Sequence, residues 1–236
     1  MKIGIMQPYL FPYIGYWQLI NLVDKFVILD DVNYIMRGYI NRNSILLEGR
    51  PYRFTIPIKG ASQNKLIMET RLNFTVKEKH RLLRTFSYAY QKAPYFGDVM
   101  PMLEDIILNP EEDLTLYIYK SLKDICEYLQ ISTELYFSSK IQKDSNLCGE
   151  KRILEICKKL GGGVYINPSG GRKLYHQNNF AEENIKLYFL DTNADRIIYD
   201  QNQEYFEKNL SIIDILFFND VKTIKDFLSE CVMNPI

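Results

Sequence analysis

A glutamine and three tyrosines crowd into the turn that follows the first apolar run of the sequence. Gln7, Tyr9, Tyr13 and Tyr16 lie within "QPYLFPYIGY", and Gly15 precedes the last of them. Phenolic hydroxyls and a side-chain amide form hydrogen bonds with a ligand, and glycine lets it approach the backbone closely. We predict that this turn lines a ligand site, with Tyr13 and Tyr16 in catalytic positions. The alternative is a rigid aromatic corner of the core.

A second polar group follows the next apolar run and combines acidic, basic and amide side chains. Its members are Asp30, Asp31, Arg37, Asn41, Arg42 and Asn43. Adjacent carboxylates can orient or deprotonate an amine, and arginines bind phosphate or carboxylate through paired hydrogen bonds. We predict catalytic roles for Asp30 and Asp31 and substrate binding by the other four. The alternative is a solvated loop.

A glycine-containing turn, "NPSGGRK", forms a third candidate. We predict that it binds an anionic group, because exposed amides and cations neutralise phosphate; its residues are Asn167, Ser169, Gly170, Gly171, Arg172 and Lys173. The spacing is not that of a P-loop.

One further acid, Asp214, lies in the apolar helical segment "LSIIDILFFND". A buried carboxylate there must be paired or hydrogen-bonded. Asp214 either reaches the same ligand site as the three groups above or ties its helix to the core. Because of the first alternative, we count it with the substrate-binding residues.

The strands and helices that would position these groups alternate along the chain. Strands are predicted at 2–6 and 25–29 with a helix at 15–23 between them, a unit that makes its two strands parallel. Further strands are predicted at 131–139, 164–166 and, as the last one, 185–190. Ligands bind beyond the carboxyl ends of such strands. The first two polar groups should therefore open onto one crevice, and the third also follows a strand.

The middle of the chain is predicted to be different in character. A hairpin turning at Glu48-Gly49 precedes a strand at 65–72, and helical periodicity then covers 77–92, 95–108 and 114–129. No linker or repeat interrupts the sequence. We predict a single α/β domain at 1–236 with a mainly parallel sheet and a helical region at 77–130.

Composition argues against several classes of protein. Among 236 residues, Lys+Arg and Asp+Glu both number 29, so the total charge gives no sign of nucleic-acid or anionic-membrane binding. The four cysteines form no C-x-x-C pair, and we predict reduced thiols, a cytoplasmic location and no metal site. No apolar run approaches the ~18 residues of a membrane span. The oligomeric state stays open.

Three segments together resemble the WbqC-like protein family over essentially the whole chain. They are "MQPYLFPYIGYWQLINLVDKFVILDDVNYIMRGYINRN", "YINPSGG" and "LSIIDILFFN". The resemblance implies a setting in the synthesis of bacterial surface polysaccharide, the O-antigen of lipopolysaccharide.

The first segment is also similar to the nucleotidyltransferase-type (HUP-type) Rossmann-like fold, in particular to pantothenate synthetase. In that fold an H-x-G-H turn starts the first helix, and here Tyr13-Ile14-Gly15-Tyr16 stands at that place. The similarity implies ATP and Mg²⁺ as cosubstrates that activate a carboxylate for transfer to an amine. It also implies that "SGGRK" holds the triphosphate.

Two functions follow as hypotheses. The first is an acyl or aminoacyl transferase, or an amide-forming ligase, that acts on the amine of a nucleotide-linked amino sugar. Gln7, Tyr13 and Tyr16 would line its acceptor pocket, and Asp30 or Asp31 would orient or deprotonate the amine. The second is a non-catalytic protein that binds a sugar nucleotide or an enzyme of glycan synthesis. Aminoacyl-tRNA as the acyl donor is disfavoured by the neutral total charge.

Overall fold

A computed structural model describes residues 1–235. In chain order its elements are β1 (Lys2–Met6), α1 (Ile14–Leu22), β2 (Lys25–Ile28), β3 (Arg42–Leu47), β4 (Arg50–Thr55), β5 (Ile58–Lys59), β6 (Arg71–Leu72), α2 (Val76–Tyr90), α3 (Phe96–Leu108), α4 (Leu114–Tyr128), β7 (Glu134–Phe137), α5 (Gly149–Lys159), β8 (Val164–Pro168), α6 (Gln177–Glu182), β9 (Lys186–Thr192), α7 (Ile212–Phe218), α8 (Val221–Ser229) and β10 (Cys231–Pro235).

The central sheet has six strands in the order β10-β9-β8-β1-β2-β7. All of its neighbouring pairs are parallel except β9 and β10, which are antiparallel. The protein is therefore a mixed α/β structure with a mainly parallel central sheet. β1 lies in the interior of this sheet, and its run of buried residues is typical of a parallel strand covered on both faces.

Helices cover both faces of the sheet. On one face, Ile3, Ile5 and Val27 pack in a core cluster with residues of α5 and α6. On the other face, Phe26 and Ile28 belong to a larger cluster that includes Trp17 of α1 and residues of α2, α3, α4, α7 and α8. Successive side chains of a strand point to opposite faces, which explains how β1 and β2 contribute to both clusters.

The hairpin of β3 and β4 turns at Glu48-Gly49, as the sequence predicts. Both residues have positive φ, +51° and +71°, the backbone of the type I′ turn that suits two-residue hairpins. The hairpin packs on α2. The rings of Phe54 and Phe86 meet edge to face there, with their centroids 5.2 Å apart.

The strand predicted at 65–72 is wrong. A 3₁₀ turn covers Ile67–Glu69, and within this range only Arg71–Leu72 forms a strand. The cause is local: the Glu69 carboxylate accepts from the Leu66 amide (3.0 Å), and the Thr70 hydroxyl donates to the Leu66 carbonyl (3.0 Å). Such side-chain bonds compete with a strand ladder.

The last strand is also not the one predicted, since β10 follows β9 and pairs antiparallel with it. Its sequence, "CVMNP", ends in a proline, which weakens a strand signal but is tolerated at a sheet edge. No helix within residues 1–235 is both long and apolar enough to cross a lipid bilayer.

Candidate functional site

The strand order identifies one place on the sheet where a ligand crevice is expected. From β1 the chain goes to β2 on one side, and the later strands β8 and β9 lie on the other side. Loops that leave neighbouring strands in opposite directions open a crevice between them, outside their carboxyl ends. The segments after β1, β8 and β9 meet at this point.

The loop after β1 is held rigidly in an unusual conformation. Phe11 has φ +43°, which is costly for a residue with a side chain. Its carbonyl oxygen accepts from Asn43 Nδ2 (2.8 Å) and Ser211 Oγ (2.7 Å), and the Pro12 carbonyl accepts from Trp17 Nε1 (3.0 Å). Three parts of the chain therefore fix the positions from which Tyr9 and Tyr13 project.

A cavity of about 260 Å³, which we call the strand-end cavity, lies beyond the ends of β8 and β9. It is lined by Tyr13 and Ile14 at the start of α1, by Ser169 after β8 and by residues 190–192 of β9. Residues 206–210, from the irregular segment before α7, form much of the remaining wall.

A second cavity of about 480 Å³, the tyrosine cavity, adjoins the first. Tyr9, Tyr13 and Tyr39 form most of its wall together with Pro12, Asn43 and Asn209. The ring centroids of Tyr9 and Tyr39 are 6.0 Å apart. Tyr13 and Asn209 line both cavities, so the two cavities share part of their wall.

Gly15 and Gln18 of α1 support this wall from behind. A Cβ atom on Gly15 would lie 2.5 Å from the Tyr13 hydroxyl and 2.7 Å from Thr192 Oγ1, closer than atoms pack, so any other residue would displace these two side chains from the wall. Gln18 is fully buried and accepts the Thr192 hydroxyl proton at 2.7 Å, while its amide donates to the Phe227 carbonyl at 2.8 Å. Thr192 is thereby fixed at the cavity wall.

The strand-end cavity carries more acidic than basic groups. Asp191 and Glu207 line it beside Lys208, which forms an ion pair with Asp195 (2.7 Å). The Ser169 hydroxyl, followed by Asn234 and Arg172, lowers the pKa of Asp191, so this carboxyl is ionised at neutral pH. Burial raises the pKa of Tyr13, so its hydroxyl keeps its proton and acts as a donor.

Part of the predicted site is brought together at these cavities. Tyr9, Tyr13, Asn43 and Ser169 line one or both of them, and Gly15 lies directly behind Tyr13. Gln7 precedes this loop, and its carbonyl oxygen accepts the Tyr16 hydroxyl proton at 2.9 Å.

Asp30 and Asp31 lie on the other side of β1, at the end of β2, and line neither cavity. Asp30 is 3% exposed and accepts from Ser139 N (2.8 Å) and Ser139 Oγ (2.6 Å), while burial raises its pKa. Asp31 forms an ion pair with Lys143 (2.7 Å). Burial alone would raise the pKa of Asp31, but its bond with Lys143 brings it below the ordinary value. Both acids connect β2 to the segment after β7.

Four other predicted residues are buried and bonded to the protein itself. Tyr16 is 2% exposed and bonded to Gln7. Asn41 accepts from the Tyr34 hydroxyl and donates to the Ile56 carbonyl, both at 2.7 Å. Asn167 accepts from Tyr165 and donates to the Pro168 carbonyl. Asp214 accepts from the hydroxyls of Tyr90 and Tyr199 and the amide of Gln201. These side chains organise the structure around the site and present no surface to a ligand.

The predicted cations and the adjacent glycines also line neither cavity. Arg42 donates to the Gly38 carbonyl (2.8 Å), and Arg172 pairs with Asp191 (2.8 Å) while lying over the Phe189 ring. Arg37, Gly170 and Lys173 are exposed. A Cβ atom on Gly171 would lie 2.1 Å from Asn167 Nδ2, so that glycine is required for packing.

Sequence reasoning missed several residues of the wall, chiefly Tyr39, Asp191, Thr192, Glu207 and Asn209. Asp191 and Thr192 end β9, and the strand-end rule applied to that fifth strand would have found them. Glu207 and Asn209 lie in an irregular segment that carries no local signal. Within the described residues, no group of three or more His, Cys, Asp or Glu side chains is arranged to hold a metal ion.

The fold and the site define a mixed α/β protein with adjoining cavities at the carboxyl edge of a mainly parallel sheet. The chain belongs to the WbqC-like protein family, whose family model matches residues 7–226; the prediction from the sequence motifs is confirmed. Over 235 residues, 98% of each chain, it is 32% identical to a Mycobacterium tuberculosis (strain ATCC 25618 / H37Rv) protein named "Uncharacterized protein Rv1507c". No solved structure matches it.

Proposed function

We propose that this protein is an enzyme of bacterial surface-polysaccharide synthesis. It joins an acyl or aminoacyl group to the amine of a nucleotide-linked amino sugar. One observation carries the proposal: a tyrosine-walled cavity adjoins a cavity whose wall holds the carboxylates of Glu207 and Asp191, of which Asp191 also pairs with Arg172. Aromatic rings pack on the apolar face of a sugar and attract an ammonium group, and a carboxylate binds the ammonium directly.

The strand order supports a relation to the nucleotidyltransferase-type Rossmann fold. The five parallel strands, β1, β2, β7, β8 and β9, lie in the spatial order third, second, first, fourth, fifth, which matches the first five strands of the Rossmann order 3-2-1-4-5-6. Tyr13 at the H-x-G-H place lines both cavities, whereas Tyr16 is turned into the core. We therefore keep Tyr13 as a catalytic candidate and assign Tyr16 a positioning role.

The proposed chemistry forms an amide by acyl transfer. The sugar nitrogen bonds to the carbonyl carbon of the donor, the bond from that carbon to the leaving group breaks, and the leaving group keeps the electron pair. The nitrogen loses a proton, and Glu207 is the cavity carboxylate that takes it. The Tyr13 hydroxyl donates to the carbonyl oxygen as negative charge develops there. In this scheme Asp30 and Asp31 stabilise the fold and take no part in the reaction.

The residues found at the cavities do not form a triphosphate site. Lys208 is the cation among the lining residues, and it pairs with Asp195. Arg172 is engaged by Asp191, and Lys173 is not part of either wall. We therefore route no step through ATP, and the donor is an acyl group that arrives already activated.

The test supplies nucleotide-linked amino sugars that have a free amine, together with activated acyl and aminoacyl donors, and measures product mass. We expect one added acyl group on the sugar nucleotide. Glu207→Gln should lower kcat with little effect on sugar-nucleotide affinity, and Tyr13→Phe should lower both. Tyr205→Phe is the matched control, since Tyr205 is 78% exposed and lines neither cavity. No product across the panel, with binding intact, would refute catalysis.

A second candidate, non-catalytic binding of a sugar nucleotide, is favoured by the burial of Tyr16. Only one of the two positions that carry histidine in the similar enzymes faces the cavity here. This alternative predicts that the ligand raises the unfolding temperature through its affinity for the folded state, with no turnover. Glu207→Gln would then change affinity alone.

A further inference from the structure

Helix α2 carries a straight stripe of exposed basic residues. Lys77, Arg81, Arg84 and Tyr88 are all exposed, and their spacings of four, three and four residues place them on one side of the helix. At about 1.5 Å of rise per residue the stripe is roughly 16 Å long. The opposite side of α2 packs into the core through Leu83, Phe86 and Tyr90, so the stripe faces away from the sheet.

The β3–β4 hairpin extends this surface. Arg50 and Tyr52 of β4 are exposed and lie on the same side of that strand. The hairpin is joined to α2 by the contact of Phe54 with Phe86 and by a hydrogen bond of 3.0 Å from the Tyr88 hydroxyl to Glu48. We define the basic face by the stripe and the exposed hairpin residues on the Tyr52 side of β4, namely Lys77, Arg81, Arg84, Tyr88, Arg50 and Tyr52.

Two acidic residues beside this face, Glu78 and Glu48, already accept hydrogen bonds from the protein. The Glu78 carboxylate accepts from Thr75 N (2.9 Å) and Thr75 Oγ1 (2.6 Å) at the start of α2, and Glu48 accepts from Tyr88. Four cations thus share a surface with two acids, although the whole chain has a formal net charge of +0. The net charge of the whole chain therefore does not reveal this local excess of positive charge.

We infer that the basic face binds single-stranded RNA. Arginine and lysine neutralise phosphates, and exposed aromatic rings among them stack on unpaired bases. Tyr88 is 60% exposed and Tyr52 is 39% exposed, each beside cations. Unpaired bases would stack on these rings, which contacts with phosphates alone would leave unused.

A groove of about 410 Å³ lies at the end of this face. Residues 46–49 of the hairpin, residues 88–93 at the end of α2 and residues 201–203 form its walls. The same irregular segment continues to residues 206–210, which line the strand-end cavity. An RNA end placed in the groove would therefore touch the segment that borders the proposed catalytic site. The inference requires RNA binding alone and stands whether or not the proposed reaction occurs.

The test measures fluorescence anisotropy of a labelled single-stranded oligoribonucleotide of about 12 nucleotides over a range of salt concentrations. We expect affinity to fall steeply with salt. In a plot of log association constant against log salt concentration, each phosphate contacted should contribute about −0.7 to the slope. Arg81→Glu combined with Arg84→Glu should weaken binding at least tenfold and reduce the slope by about 1.4. Tyr88→Ala should weaken binding several-fold and leave the slope unchanged.

The matched control is Lys151→Glu combined with Lys159→Glu on α5, which packs on the opposite face of the sheet. It changes the net charge by the same amount, so we expect a loss of less than twofold. Equal losses in both double variants would overturn the assignment to α2. Equal binding of heparin that Tyr88→Ala does not alter would make the face a general polyanion site and refute RNA recognition. Thermal unfolding of each variant verifies that it is folded.

Discussion

Replacing Asp214 by Asn tests whether the buried hydrogen-bond network around it holds the site together. Asp214 is fully buried and accepts from Tyr90 OH (2.8 Å), Tyr199 OH (2.7 Å) and Gln201 Nε2 (2.8 Å). Tyr199 also lines the strand-end cavity, and Gln201 Oε1 accepts from the Glu207 amide at 2.8 Å. The network therefore connects α7 to two parts of the cavity wall.

The magnitude follows from counting donors. Asparagine has one acceptor oxygen, and it is best placed where Oδ2 now accepts from Tyr199 and Gln201. Its amide then faces Tyr90 OH, which already accepts from the Leu46 amide at 3.1 Å. The Tyr90 proton loses its acceptor, at a cost of about 1–3 kcal/mol. Asp214→Ala leaves all three donors unpaired and should cost about 4 kcal/mol or more.

The pH dependence has a definite sign. Burial raises the pKa of Asp214 above its ordinary 3.8, against the lowering effect of its three hydrogen bonds. Between the unfolded value and this raised value, the folded protein binds more protons than the unfolded chain, so its stability falls as pH rises. Asn cannot titrate, so the advantage of the native protein over Asp214→Asn should shrink with rising pH.

Urea unfolding at about pH 3 and about pH 7 measures both effects, because the lower pH lies below the unfolded pKa of the carboxyl. Asp226→Asn serves as the control, because Asp226 is exposed on α8 and its change should stay within about 0.5 kcal/mol. An advantage of the native protein that grows with pH would mean that the hydrogen bonds outweigh burial, and our reasoning would be wrong. Our reasoning would also be wrong if Asp214→Asn lost no more unfolding free energy than the Asp226→Asn control.

Three further predictions concern other parts of the molecule. Gly15→Ala should destabilise by about 1–3 kcal/mol through overpacking against Tyr13 and abolish sugar-nucleotide binding; unaltered binding by calorimetry would contradict the assigned wall. Glu48→Gly should stabilise the protein by up to about 1 kcal/mol in urea unfolding, because a side chain at φ +51° is strained; a loss would show that its bond to α2 dominates. Lys143→Met should cost about 1–3 kcal/mol, because Asp31 loses its 2.7 Å partner and keeps only Arg152 at 3.7 Å; adding Asp31→Asn should restore most of it, and no recovery would disprove pairing as the cause.

Periodicity was sufficient to predict the elements with strong local signals. The strands β1 and β2 are short, continuous apolar runs, and the three helices α2–α4 have apolar residues at helical spacing, so each was found within a few residues. The turn at Glu48-Gly49 was predicted from its glycine. Family membership followed from long motifs that no single element could supply.

The candidate site was predictable only where strand ends mark it. Tyr9, Tyr13 and Ser169 follow β1 and β8, so the strand-end rule identified them. Asp30 and Asp31 follow a strand as well, yet they are engaged by Ser139 and Lys143, residues more than a hundred positions away. A rule that uses local sequence cannot tell a carboxylate that faces a ligand from one that is paired across the fold.

The pairing of Asp30 and Asp31 has a consequence for how this chain accommodates changes in length. The chain leaves the sheet at β2 and returns beside it at β7, so residues 29–133 form one long excursion whose two ends are tied by these carboxylates. Closing a longer loop costs only about 0.6 kcal/mol for each doubling of its length. Because the contacts of Asp30 with Ser139 and of Asp31 with Lys143 hold its two ends together, the excursion can lengthen or shorten while the sheet keeps its register. Folding is slowed by the same arrangement, because β7 cannot pair with β2 until the excursion has closed.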